Sequence, residues 1–247
     1  MGRCCSVGVD QAGAGPVARD RVVQRVTDLP CSDGVVCGNS IHIEEAENLT
    51  NVLIRLNRVQ HAIAASGVRN LTIAHNIVVS PLHAQKQMTG QSALPARSCT
   101  QGGSIVANGD IGLTIYNNTI AADVGNCPIG GCCPGMVAVG FGDHVLVSEN
   151  NVTASAGCEP LGVSIWGGVE GYPKTRDMLV SANTFTGSFT PLVHGKPFPG
   201  GVVIDGANGV VVDSSNVWSD GAPAGKHVCD CCQYGVMSMC QNITIGQ

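Results

Sequence analysis

The 247 residues carry 13 basic and 18 acidic side chains, a net charge of −5, which is small and of the wrong sign for a protein that must neutralise nucleic-acid phosphates. Only 13% of residues are charged and 4% aromatic against 33 Gly, which excludes long amphipathic helices and coiled coils, while 44% hydrophobic residues exclude disorder. A chain of this length buries roughly 70–75% of its unfolded surface as one large domain or two small ones, so metals and disulfides are optional for stability.

Residues 1–40 form an N-terminal segment holding Cys4, Cys5, Cys31 and Cys37. It contains no apolar run of signal-peptide length, and nowhere does the chain approach eighteen consecutive apolar residues, so no membrane span is expected. Met1, Gly2, Arg3, Cys4, Cys5 and Ser6 fit the myristoylation pattern, with Gly2 as acceptor and Cys4 and Cys5 as palmitate sites. Thirteen Cys in all favour an oxidising compartment instead. Secretion is therefore expected, with lipid anchoring through Gly2, Cys4 and Cys5 as the alternative.

From residue 41 to 247 one unit recurs: an apolar-x-apolar strand, two residues, Asn, one residue, then an apolar residue. The copies read VLIRLNRV from Val52, LTIAHNIV from Leu71, LTIYNNTI from Leu113, VLVSENNV from Val145, MLVSANTF from Met178 and VVVDSSNV from Val210, and a seventh begins at Ile243. The third residues, Ile54, Ile73, Ile115, Val147, Val180, Val212 and Ile245, are 19, 42, 32, 33, 32 and 33 apart, so 19 residues make the bare unit. Three residues on stand Asn57, Asn76, Asn118, Asn150, Asn183 and Ser215, five Asn of six in a chain where 16 of 247 residues are Asn. Upstream of the copies lie HAIAASG from His61, GSIVANG from Gly103, GMVAVGF from Gly135, GVSIWGG from Gly162, GVVIDGA from Gly201 and GVMSMC from Gly235. Period-2 alternation rich in Val and Ile and punctuated by Gly and Asn predicts strands. Helix pairs of ankyrin length are excluded because Gly, Val, Thr and Asn stand where helix formers are needed.

Strand, turn, strand, Asn turn, strand, repeated, resembles the right-handed parallel β-helix of the pectate-lyase-like superfamily over roughly residues 41 to 245. The resemblance implies an all-β, single-stranded solenoid of six or seven coils, each giving three strands to three parallel sheets stacked about 4.8 Å apart. Ile63 and Ala65, Ile105 and Ala107, Val137 and Val139, and Val202 and Ile204 are expected to point inward. The Asn column is expected to form a hydrogen-bonded ladder at a turn whose left-handed backbone Asn tolerates. Five N-x-T sequons, at Asn48, Asn70, Asn117, Asn151 and Asn242, fall at repeat turns, where the fold itself selects Asn followed by a strand Thr.

The extra length leaves mostly at one turn, as loops 80–102, 123–134, 154–160, 187–200 and 219–233, which stack on one side as a wall. Eight Cys lie there: Cys99, Cys127, Cys132, Cys133, Cys158, Cys229, Cys231 and Cys232. Disulfides of about 2–4 kcal/mol each would order loops that have no core of their own. Thiolate metal sites, from His227 with Cys229, Cys231, Cys232 and Cys240 or from Cys127 with Cys132 and Cys133, are the competing reading, although neither spacing is the paired C-x-x-C of common zinc sites. The last copy stops mid-coil, and a C-terminal remainder is expected.

Active sites of that superfamily, as the resemblance implies, lie on the outward face of the first sheet. Here that face reads Ser66, Asn108, Gly140, Trp166 and Asp205, with Ala64, Val106, Ala138, Ser164 and Val203 two residues earlier, a shallow floor with Trp166 as a sugar platform. An insertion over 167–177 adds Lys174 and Arg176, and the loop before Asp205 adds His194 and Lys196. A uronate lyase needs a base for the proton α to the carboxylate and a cation for the developing enolate. Lys174, Arg176, His194 and Asp205 are the catalytic candidates, and Trp166, Asn108 and Lys196 the substrate-binding ones. A hydrolase needs two carboxylates roughly 5–9.5 Å apart, for which Asp205 and Asp143 form a poor pair. The polygalacturonase signatures N-T-D, D-D, G-H-G and R-I-K are absent, as is an Asp cluster like that of pectate lyases, so calcium stands by resemblance only. Two functions remain: an extracellular, monomeric polysaccharide-handling lyase or epimerase, and a non-catalytic structural, adhesive or carbohydrate-binding β-helix.

Overall fold

Val, Ile and Thr alternate with polar residues through each copy of the repeat, and β-branched side chains favour a pleated, half-buried surface. Each such run is a strand in the computed structural model, which describes residues 21–22, 27–30, 36–43, 49–59, 62–79, 104–122, 135–154, 160–167, 174–189, 192–193, 196–197, 199–230 and 240–246. The first sheet stacks Val36–Ile43, Ala62–Ser66, Ser104–Asn108, Val137–Gly140, Val163–Trp166, Val202–Asp205 and Val228–Cys229 in parallel. The second stacks Thr50–Arg55, Arg69–Ala74, Ile111–Tyr116, Asp143–Ser148, Thr175–Ser181, Ala207–Val212 and Gln241–Ile245. Arg58–Val59, Ile77–Val79, Thr119–Ala122, Asn151–Ala154, Thr184–Thr186 and Val217–Trp218 make the third. The chain visits first, second and third sheet in turn and then climbs one rung, forming a right-handed parallel β-helix, the hand that twisted strands favour in parallel crossovers. At the N-terminal end Thr27–Pro30 pairs antiparallel with Val36–Ile43, and Arg21–Val22 pairs with Thr50–Arg55, so the edges of the first and second sheets are occupied there.

The inward residues stack like on like. Ile41, Ile63, Ile105, Val137, Val163, Val202 and Val228 form one buried column, and Ile54, Ile73, Ile115, Val147, Val180 and Val212 another. Burying such a side chain is worth about 1.5–3 kcal/mol, and no coil alone can cover its own apolar face. The third-sheet column changes character as it climbs, from Val59, Val78, Ile120 and Val152 to Phe185 and Trp218. Facing it, the residues just before the first-sheet strands change in the opposite sense, from Met136 to Gly162 and Gly201. A Cβ on Gly162 would lie 3.0 Å from the Phe185 ring, and one on Gly201 would collide with the Trp218 ring. Glycine is therefore the residue that lets the large aromatics into a shaft of constant width.

The Asn ladder is present, with two corrections. Asn57, Asn76, Asn118, Asn150 and Asn183 each donate from Nδ2 to the Oδ1 of the next, at 2.9–3.0 Å, and the sixth rung is Asn216 rather than Ser215. The last turn is one residue longer. Asp213 Oδ1 accepts the Ser215 amide at 2.8 Å, and Ser215 Oγ accepts the Ala182 amide at 2.9 Å, so the extra residue is absorbed in an Asx turn outside the ladder. Nor are the ladder residues the left-handed ones. Positive φ falls one position earlier, at Leu56, His75, Asn117, Glu149 and Ala182, with φ between 49° and 57°. Asn is required in the ladder for its amide, not for its backbone tolerance.

Candidate functional site

Parallel pairing aligns Ser66, Asn108, Gly140, Trp166 and Asp205 in one outward column at the end of the first sheet, as expected from the repeat. The neighbouring column differs from the expected open floor. Ala64 and Val106 are half-buried, but Ala138, Ser164 and Val203 are buried. Ser164 Oγ accepts the Gly135 amide at 2.8 Å, and Val203 packs with Leu161 and Cys229. Chain entering the later strands therefore lies over the face, and the accessible outward surface is confined there to the Trp166 end.

At that end the absence of a side chain on Gly140 decides the geometry. A Cβ there would collide with Trp166 Nε1 and sit 2.5 Å from Asn108 Oδ1, so the indole and the amide meet over Gly140. Asn108 Oδ1 is buried with no hydrogen-bond partner, and Trp166 is half-buried with Asp205 as its neighbour on the next strand. Gly140→Ala is expected to displace the Trp166 ring, at a cost of about 1–3 kcal/mol for overpacking. Red-shifted, more quenchable tryptophan emission checks this, since Trp218, the second of two Trp, stays stacked in the shaft. Comparison with protein-family models, with curated proteins and with solved structures returns no match to this chain. The site must be read from its own chemistry.

The cations lie around the corner rather than in the column. Lys174 is half-buried just before Thr175–Ser181, whose Thr175 Oγ1 donates to the Trp166 carbonyl at 2.6 Å and closes the excursion that leaves after Gly167. Arg176 and Asp177 are strand residues, not the loop residues expected, because pairing resumes at Thr175. Arg176 is exposed and aligned with Asp143 and Asn208 on the second sheet. Asp143 thus opens a strand of the second sheet, whereas Asp205 ends one of the first. Lys196 is placed by its backbone only, in a two-residue strand antiparallel to Leu192–Val193, and His194 lies outside the described residues.

Asp143, His144 and Asp177 bring ligand-type atoms within 4.8 Å of one another. The imidazole stands between the carboxylates, Nδ1 3.0 Å from Asp143 and Nε2 3.9 Å from Asp177. Two different ring nitrogens cannot serve one ion, and calcium asks for six to eight oxygens. The group does not fit a calcium site; it is an exposed bridge between adjacent strands. Of the cysteines proposed as thiolate ligands, only Cys229 and Cys240 lie among the described residues.

Two polar centres escaped the sequence reading. Asp110 is fully buried at the first corner, where its Oδ1 accepts the Val68 amide at 2.7 Å. Burial pushes its pKa up to about 6 against the lowering effect of the Val68 and Asn108 backbone. The second is a His227–Asp220 pair, 3.0 Å from Nε2 to Oδ1, beside Trp218. Neither carries a motif: Asp110 acquires its setting only when coils stack, and the Asp220–His227 pair closes a seven-residue loop that no hydrophobic pattern marks.

Proposed function

We infer that this chain is an extracellular β-helix that handles polysaccharide at the Trp166 end of its first sheet. One observation carries the reading: a half-buried indole flanked by the Asp205 carboxylate and lying over Asn108, whose amide oxygen has no hydrogen-bond partner. An aromatic body with a polar handle beside hydrogen-bonding groups suits a pyranose, which has an apolar C–H face and a hydroxylated rim. Support for an oxidising compartment comes from the 13 Cys of the chain. Among the described residues no helix is long and apolar enough to cross a membrane.

A second reading, uronan lysis or epimerisation, is favoured by Lys174 and Arg176 at the corner next to Trp166. A base there would remove the proton α to the uronate carboxylate while a cation stabilises the enolate. For lysis the glycosidic oxygen then departs and leaves a conjugated double bond. Alginate, pectate and neutral glycans offered to the purified chain separate the possibilities. Retention of at least one glycan is expected, weakened tenfold or more by Trp166→Ala, a loss of about 1.4 kcal/mol or more. Growth of ultraviolet absorbance from the unsaturated product would add the lyase step. No retention across the panel, or retention indifferent to Trp166→Ala, would leave a structural or adhesive β-helix.

A further inference from the structure

The N-x-T sequons separate according to whether the fold itself explains their Asn. Asn48 lies outside the described residues, and the other four fall into two pairs. Asn70 and Asn242 stand near the start of second-sheet strands, where every coil carries a left-handed residue. In the remaining coils that position holds Asn51, Gly112, His144, Asp177 and Gly209, with φ between 49° and 71°. These are the residue types that enter the left-handed region most readily. Both amides are also engaged between rungs: Nδ2 of Asn70 donates to Asn51 Oδ1, and Nδ2 of Asn242 to Asn208 Oδ1, each at 3.0 Å. Backbone conformation and rung-to-rung bonding therefore account for this pair.

Neither accounts for Asn117 and Asn151. Asn117 stands immediately before ladder residue Asn118, a position filled in other coils by Leu56, His75, Glu149 and Ala182. Those four have φ between 53° and 57°, so the corner imposes its conformation on any residue and does not demand Asn. Asn151 follows ladder residue Asn150 and heads a third-sheet strand, in a column with Arg58, Ile77, Thr119, Thr184 and Val217. No shared chemistry is required there. Both Asn are exposed, and neither side-chain amide is hydrogen-bonded among the described residues. The residues that complete their sequons also lie on the outward side of third-sheet strands, Thr119 exposed and Thr153 half-buried.

We propose that Asn117 and Asn151 are N-glycosylation sites, each carrying an oligosaccharide on Nδ2; this rests on the extracellular reading above. The donor class is a lipid diphosphate-linked oligosaccharide. Nδ2 bonds to C1 of its first sugar and gives up one proton, while the C1–O bond breaks and the lipid diphosphate leaves with the electron pair. None of the five sequons lies on a first-sheet strand, so the Trp166 face stays clear of attached sugar. The column of Asn151 also holds Ile77 and Val217, 41% and 57% exposed. Each is two rungs from Asn151, about 10 Å away by stacking. A bulky hydrated oligosaccharide between them shields exposed apolar side chains from association.

Glycopeptide mapping of the full chain from its native source tests the assignment. Peptide:N-glycosidase in heavy-oxygen water is expected to convert Asn117 and Asn151 to labelled Asp, with labelling of Asn70 and Asn242 at least fivefold lower. In a host that N-glycosylates secreted proteins, Asn117→Gln and Thr119→Val are each expected to remove the same single glycan, and Asn151→Gln and Thr153→Val the other. The Thr→Val variants keep the Asn and a β-branched strand residue, so loss of the glycan reports the sequon and not the fold. Unlabelled Asn117 or Asn151, or labelling of Asn70 and Asn242 to the same extent, would overturn the proposal. Cysteine pairing, read from the same protein before reduction, keeps two failures apart. Unlabelled Asn in a chain with paired cysteines sinks the proposal alone, whereas unlabelled Asn with free thiols throughout sinks the extracellular reading with it.

Discussion

Asn118→Ala is expected to destabilise the chain by about 3 kcal/mol or more, above the 1–3 kcal/mol of a single unsatisfied buried partner. The amide of Asn118 makes five hydrogen bonds to four residues, its two N–H groups shared among three acceptors. Its Nδ2 donates to Asn150 Oδ1 at 3.0 Å and to the carbonyls of Ile73 and Tyr116 at 2.9 and 3.1 Å. Its Oδ1 accepts both the backbone amide and the Nδ2 of Asn76, each at 2.9 Å. Truncation strands the Asn76 backbone amide where no water reaches and weakens the rest of the ladder, although Asn150 Oδ1 keeps the Asn118 backbone amide and the Tyr116 carbonyl keeps that of His75. Asn57, at the end of the ladder and 9% exposed, has no rung donating to it among the described residues, and Asn57→Ala is expected to cost less. Urea unfolding of the two variants checks the order. Equal midpoints would mean that the ladder bonds contribute nothing beyond what solvent offers.

Stability is expected to fall by about 3 kcal/mol as pH rises from about 4 to about 7, through Asp110 alone. An Asp carboxyl titrates near 3.8 when unfolded and near 6 in the folded chain, because burial penalises its charged form. Between those values the folded state binds more protons than the unfolded state, so raising pH favours unfolding until both are ionised. The full contribution is present below the unfolded value and is lost as pH passes the folded one. Asp110→Asn retains the oxygen that accepts the Val68 amide and removes the titration. Unfolding free energies of the two proteins, measured across that window, are expected to diverge at low pH and converge above about 7 once referenced to a common alkaline value. Parallel curves would show that Asp110 is hydrated and ordinary.

Both effects arise at corners, where the repeat reverses direction and backbone groups leave the sheet ladders. A ladder Asn solves the problem with a neutral amide that both donates and accepts. Asp110 solves it with an acceptor only, and its Oδ2 is left buried without a partner. The difference explains why one device recurs at six rungs while the other titrates.

Much of the fold was legible from the chain alone because a β-helix is a one-dimensional crystal of its own repeat. Inward positions, the outward column from Ser66 to Asp205 and five of six ladder rungs followed from period-2 alternation and the spacing of anchors. The sixth rung slipped because a one-residue insertion, absorbed by the Asp213 turn, does not disturb the hydrophobic pattern that sets the register. Only stacking decided the rest: that later coils cover their own outward floor, that Gly140 lets Trp166 fold onto Asn108, that Asp143 aligns with Arg176 on the second sheet, and that His227 closes an aromatic stack begun at Phe185. Periodicity specifies which residues share a face, because it follows from bond geometry within one strand. What lies across a corner, above a glycine or at the end of the shaft depends on contacts between residues that no local rule relates.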